Sequence, residues 1–227
     1  MSYLSTLVRL IFPERCLGCK KIGGYLCVNC LDRIPPAEPI TDLSALACFD
    51  YYDKKIKKAI WLLKYKNISS LAPLFAKLLY DKLIEQLADE VNILPGLGST
   101  WLVIPIPLSH ERQRERGYNQ AALITRELVK LAPQNLTLAE NILIKIKHTP
   151  TQVSISNRRS RLANLKNAFA LAPNYNRPSG SITESIKGRR IILVDDVITT
   201  GATIREAMRL LKHAGAKSVI GIAVAHG

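Results

Sequence analysis

Acidic residues are scarce in this chain. Eighteen Asp and Glu stand against 32 Lys and Arg, for a formal net charge of +14 over 227 residues. That imbalance points to an anionic partner. Long apolar runs are missing too: none approaches the roughly 18 to 20 residues that a spanning helix needs. The opening stretch MSYLSTLVRLIFP has Arg9 inside its apolar part and no small-residue cleavage site. Neither a signal peptide nor an anchor is expected, and the chain reads as soluble and cytoplasmic. There is no internal repeat and no low-complexity tract. Hydrophobic residues nevertheless make up 48%, which excludes a disordered basic tail protein.

Cysteines are few but patterned. Four of the five form Cys16-Leu-Gly-Cys19 and, after seven residues, Cys27-Val-Asn-Cys30. Two C-x2-C pairs without a secretory signal point to a structural zinc site rather than to disulfides or a redox pair. Each pair makes a tight knuckle that aims two thiolates at one point, and four thiolates leave no open coordination position. A segment so short cannot bury enough surface alone, so the metal would supply its folding free energy. Cys48 is expected to be a small buried hydrophobe.

Ile34-Pro-Pro-Ala-Glu-Pro39 is a proline-rich connector, so a boundary is expected near residue 45: a four-cysteine segment over 1–45 and a second unit over 46–227. From there strands and helices alternate. Strands are expected at 45–52, 101–106, 142–146, 190–194 and 218–225. Helices are expected at 54–65, 71–88, 119–131, 155–166 and 202–214. All-apolar strands alternating with helices predict an α/β fold with a parallel, Rossmann-like sheet covered on both faces. Trp61, at helical spacing from Ile56 and Ile60, is expected in the core. His110 is expected to be a polar loop residue.

The sharpest motif is Arg190-Ile-Ile-Leu-Val-Asp195-Asp196-Val-Ile-Thr199-Thr200-Gly201-Ala202-Thr203. A buried strand brings two adjacent carboxylates to its C-terminal end, and a Thr-Thr-Gly turn opens the next helix. Ligands of open α/β sheets bind outside the carboxyl ends of strands. Backbone N–H groups at the turn suit a phosphate dianion, and the carboxylates suit vicinal hydroxyls, so the pattern fits a ribose 5-phosphate. The plainer alternative is that the two aspartates cap the helix. The motif is neither a dinucleotide G-x-G-x-x-G nor a P-loop with its lysine.

Basic residues cluster in two acid-free runs. Lys54, Lys55, Lys57 and Lys58 open the run from Lys54 to Lys66, and Arg158, Arg159, Arg161 and Lys166 form the second. Both are candidate nucleic-acid contacts, against the alternative of a solvated helix face. Residues 136–187 carry +6 of the net charge.

The Asp195–Thr203 motif resembles the phosphoribosyl pyrophosphate (PRPP) signature of type I phosphoribosyltransferases. The cysteine pairs, Trp61-Leu-Leu-Lys64-Tyr65-Lys66, Ile104-Pro-Ile-Pro-Leu108, Arg116-Gly117-Tyr118-Asn119-Gln120, Thr151-Gln152 and Arg161 to Asn164 to Phe169 are together similar to the ComF family of late-competence proteins. The resemblance implies a phosphoribosyltransferase-like domain behind a zinc-binding module. It implies that Asp195 and Asp196 hold the ribose hydroxyls and that Thr199, Thr200, Gly201, Ala202 and Thr203 hold the 5-phosphate. Arg112, Arg114 and Arg116, in the loop after Pro107, would neutralise pyrophosphate together with Mg²⁺. Asp195, Asp196 and Arg116 are the groups that would carry any chemistry. Hypoxanthine–guanine transferases have an Asp where this chain has Thr199, so that proton-transfer residue is missing. Two functions stay open. One is a PRPP-binding protein of natural competence that contacts single-stranded DNA and other competence proteins. The other is an active PRPP-dependent glycosyltransferase, amidophosphoribosyltransferase-like or salvaging nucleobases, with no DNA role.

Overall fold

The computed structural model describes residues 13–87, 100–146, 167–172 and 186–227. Arg158, Arg159, Arg161 and Lys166, the helix expected at 155–166, and Thr151, Gln152 and Asn164 lie outside the described residues. In chain order the elements are α1 (Val28–Leu31), β1 (Ala45–Asp50), α2 (Lys54–Tyr65), α3 (Leu71–Leu87), β2 (Trp101–Pro105), α4 (His110–Arg116) and α5 (Gln120–Leu131). Then come β3 (Leu136–Leu138), β4 (Leu143–Lys145), β5 (Phe169–Leu171), β6 (Arg190–Ile198), α6 (Ala202–His213) and β7 (Ser218–His226).

Five strands form one parallel sheet in the order β1-β7-β6-β2-β3. The parallel α/β reading of the sequence therefore holds. The central strand β6 lies between β7, with Arg190 opposite Ser218, and β2, with Trp101 opposite Arg190. Successive side chains of a strand face opposite sides, which splits the core in two. Ile192 and Val194 face α2, α3 and α5 through Ile56, Ile60, Leu63, Phe75, Leu79 and Leu128. Ile191 and Leu193 face α6 through Ile204, Ala207 and Leu211. Each fully buried Val, Leu, Ile or Phe side chain among them contributes about 1.5–3 kcal/mol relative to exposure. The antiparallel pair β4–β5 adds Leu143 and Phe169 to the α6 side. On the other side, Leu26, Leu31 and Ile34 of the cysteine segment join the core of α2 and α3.

The helices start where local chemistry allows. The Asp53 carboxylate accepts from the N–H groups of Lys55 (2.8 Å) and Ile56 (3.1 Å), capping α2. Asn119 caps α5, accepting from Ala121 N–H at 2.9 Å, while its amide donates to Ile106 O at 2.9 Å.

Five expectations need correction. The strand expected at 190–194 runs on to Ile198, so both aspartates are inside it, not beyond its end. The arginines before Gly117 form a short helix, not a loop, closed by Gly117 at φ +73°. His110 opens that helix. Trp61 is not core: it is 38% exposed, because it sits about 100° round the helix from Ile60. Cys48 is half-buried, and its thiol donates to Leu78 O at 3.6 Å.

Candidate functional site

The site forms where β6 ends. Alternation along the strand sends Asp195 toward the α6 face and Asp196 toward the α2 face. Asp196 is 4% exposed, and its Oδ1 is 2.7 Å from Lys64 Nζ of α2. Its Oδ2 is buried with no hydrogen-bond partner among the described residues. Asp195 is half-buried and accepts the Asp196 N–H at 2.8 Å. Burial, and then the adjacent Asp196 charge, push the Asp195 carboxyl up to about 7, against the pull of Lys64 and Lys145. Burial works to lower the Lys64 ammonium, but the charge of Asp196 and its hydrogen bond outweigh that, so its pKa is raised. Lys145 of β4 reaches the same end of the sheet from the other face. Burial and then Arg112 lower its pKa, while Asp195 opposes them.

The turn after β6 is built for close backbone approach. Gly201 stands at φ +71°, and a Cβ there would come within 3.1 Å of Leu43 Cδ2. Gly201 is the N-cap of α6, and no side chain among the described residues caps that helix. The aspartates therefore do not cap it, which removes the helix-cap reading. Thr199, Thr200 and Gly201 line an open cleft of about 640 Å³ with Ile40, Asp42 and His226. Orphan amides beside hydroxyls can hold a phosphate group, and neither Asp195 nor Asp196 lines this cleft.

α4 splits its arginines. Arg112 and Arg116 are one turn apart on a half-buried face, while Arg114 is exposed on the opposite face. The Arg116 guanidinium lies over the Tyr65 ring at 4.9 Å and donates to the Tyr65 hydroxyl at 3.3 Å. Its Nε is buried without a partner among the described residues. Tyr118 donates its hydroxyl to Leu63 O. The segment Arg116–Asn119 is thereby fastened to the turn of α2 that carries Lys64.

The four patterned cysteines converge: all their sulfurs lie within 4.8 Å of one another. Cys16 and Cys27 are 3.7 Å apart, and Cys19 and Cys27 3.6 Å. Those gaps are far too long for a disulfide, whose S–S bond is about 2.05 Å. They match the edge, about 3.8 Å, of a tetrahedron whose metal–sulfur bonds are about 2.3 Å. Gly18 is obligatory here, since a Cβ would stand 2.6 Å from Cys30 Sγ. Backbone N–H of Cys27 points at Cys16 Sγ at 3.4 Å. Among the described residues this is the cluster able to hold a metal ion through four thiolates.

Residues 121–227, which contain the β6–α6 turn, match the phosphoribosyl transferase domain family. Competence protein F of Haemophilus influenzae is 36% identical over 85% of this chain and 75% of its own length. The chain belongs to the ComF family. The family's breadth shows in two further relatives. DNA utilization protein YhgH of Escherichia coli (strain K12) is 29% identical over 85% of this chain and 74% of that protein. Competence protein ComFC of Bacillus subtilis is 24% identical over 91% and 82%.

Within this ComF-family sheet, Asp195, Asp196, Thr199, Thr200, Gly201, Ala202 and Thr203 form one continuous strand, turn and helix start. Arg112 reaches it electrostatically through Lys145, whereas Arg116 lies over Tyr65, the residue after Lys64. Lys54, Lys57 and Lys58 stay on the exposed side of α2, with Lys55 half-buried. Sequence reasoning missed Lys64 and Lys145 as site residues. For Lys64 a signal existed. It follows Ile56 and Ile60 at i+8 and i+4, so it falls on the buried stripe, where a lysine requires a carboxylate.

Proposed function

We propose that this protein binds PRPP or a ribose 5-phosphate at the β6–α6 turn and acts in natural competence by handling single-stranded DNA. The observation that carries the first half is the succession, along one strand and turn, of a buried Asp196 Oδ2 with no hydrogen-bond partner among the described residues and a helix start with no side-chain cap. Ribose hydroxyls donate to Asp195 and Asp196. The 5-phosphate accepts from the N–H groups and hydroxyls of Thr199, Thr200, Gly201, Ala202 and Thr203. Arg112 and Arg116 face the pyrophosphate, and Arg114 stays in solvent. The Asp196 oxygen is a hard donor, which suits magnesium-bound PRPP. Bound with the pyrophosphate, magnesium supplies further positive charge to a leaving group.

The second half rests on the names of the relatives and on charge. The net charge is +14, and Lys54, Lys57 and Lys58 have no carboxylate partner among the described residues. We assign zinc to Cys16, Cys19, Cys27 and Cys30 as a structural ion. Thr199, exposed at the position where purine-base transferases carry Asp, favours ligand binding over nucleobase transfer. The glycosyltransferase reading keeps the same pocket and differs in turnover and in having no DNA role.

Thermal melts test the ligand. At a hundred times its dissociation constant, Mg-PRPP adds about 2.7 kcal/mol of stability. For a chain of this size that raises Tm by roughly 5–11 °C. Gly201→Val, which forces a side chain into a φ of +71° against Leu43, should abolish the shift. An equal shift in wild type and variant contradicts the assigned phosphate turn.

A further inference from the structure

We infer that the outer face of α2 is a base-stacking platform for a single strand, with Trp61 and Tyr65 as its two rings. This inference rests on the single-strand reading above and names the surface that does the work. Trp61 and Tyr65 are 38% and 54% exposed. Their ring centroids are 6.0 Å apart, tilted by 42°. They are four residues apart on one helix face. Cations bracket them: Lys58 Nζ lies 4.0 Å and Lys66 Nζ 5.6 Å from the Trp61 centroid, and Arg116 Cζ 4.9 Å from that of Tyr65. The order along the surface is cation, ring, ring, cation.

That order is a poor way to build a free helix. Large aromatics gain nothing from exposure to water. Lys54, Lys55, Lys57 and Lys58 crowd the first turns of α2, the end where the helix dipole disfavours cations. One of them, Lys55, has an acidic partner, Asp53 at 3.2 Å. Both penalties vanish against a polymer that presents π-faces and phosphates together. In single-strand sites, aromatic rings take the bases while lysines and arginines take the backbone. Phosphates would draw Lys58 and Lys66 off the Trp61 ring and leave that face to a base. A duplex keeps its bases stacked and offers only its backbone, so the partner is single-stranded. The last turn of α2 also carries Lys64, which holds Asp196 at 2.7 Å. The strand therefore passes within one helical turn of the ribose carboxylates.

The test uses the full chain, fluorescently labelled oligothymidylate and an unlabelled duplex of the same length. Trp101, the other tryptophan, is 2% exposed, so quenching by nucleic acid reports Trp61. Single strand is expected to quench the emission, and duplex is not. Trp61→Ala and Tyr65→Ala should each weaken single-strand binding roughly five- to 150-fold, the range for one stacked base. Their salt slope should stay unchanged. Trp61→Phe should restore most of the affinity, and Lys57→Ala/Lys58→Ala should lower the salt slope instead. Wild-type affinity in both ring variants overturns the platform and leaves strand binding in place. Equal quenching by duplex also overturns it. No strand binding by wild type at low salt overturns the single-strand reading itself.

Discussion

Lys64→Met probes the link between α2 and the ribose carboxylates. At 2.7 Å, Lys64 and Asp196 attract by about 6 kcal/mol at an effective dielectric of about 20. Desolvation of both charges opposes that, so the net value of the pair is smaller. Removing one partner leaves the other buried charge uncompensated, which costs about 3–5 kcal/mol in dry sites. Lys64 keeps 19% of its side-chain surface exposed, whereas Asp196 keeps 5%, so the low end, about 3 kcal/mol, applies. In a chain of this size that lowers Tm by roughly 6–12 °C. The assay is urea unfolding with thermal melts for wild type, Lys64→Met, Asp196→Asn and the double variant. The Lys64→Met penalty should shrink markedly in the Asp196→Asn background, because no charge is then stranded. A penalty below about 0.5 kcal/mol, or one of equal size in both backgrounds, would refute the reasoning.

Three further outcomes are expected. The Asp195 carboxyl is raised from 3.8 to about 7 in the folded state, so the fold retains a proton that the unfolded chain has lost between those values. Its contribution to stability therefore falls as pH rises from about 4 to about 7 and is flat above. Urea midpoints at pH 5 and 8 should show Asp195→Asn gaining roughly 2–3 kcal/mol on wild type across that interval, and a constant difference would count against the shift. Metal analysis should find about one zinc per chain. Chelation should lower Tm, since Leu26, Leu31 and Ile34 pack against α2 and α3; a metal-free protein with an unaltered melt contradicts the cysteine assignment. Arg116→Ala should weaken Mg-PRPP binding roughly ten- to 100-fold, the worth of a hydrogen bond to a charged group, while exposed Arg114→Ala stays within about twofold; calorimetry separates the two.

Much of the fold was legible because its signals are local and strong. Ile191 to Val194 is an uninterrupted apolar run whose β-branched residues mark a strand. Ile56, Ile60 and Leu63 mark one face of α2 and are all buried. The cysteine spacing led to the cluster of sulfurs, since two knuckles permit few arrangements. Other features were hidden for definite reasons. His110-Glu-Arg-Gln-Arg-Glu-Arg116 has no apolar stripe, so periodicity is silent; the left-handed Gly117 that ends the helix is its clearest mark. Trp61 shares its neighbourhood with apolar residues but not their face. Lys64 and Lys145 became site residues only when the topology brought α2 and β4 to the end of β6. No spacing rule connects positions 64, 145 and 195.

The central claim is that the β6–α6 turn, with the two aspartates, is the PRPP site. Calorimetric titration of Mg-PRPP into wild type and Asp195→Asn/Asp196→Asn tests it most directly. The account predicts saturable binding by wild type, weakened at least about tenfold in the double variant, as expected for loss of charge-assisted hydrogen bonds. Equal affinity in the two proteins would contradict it.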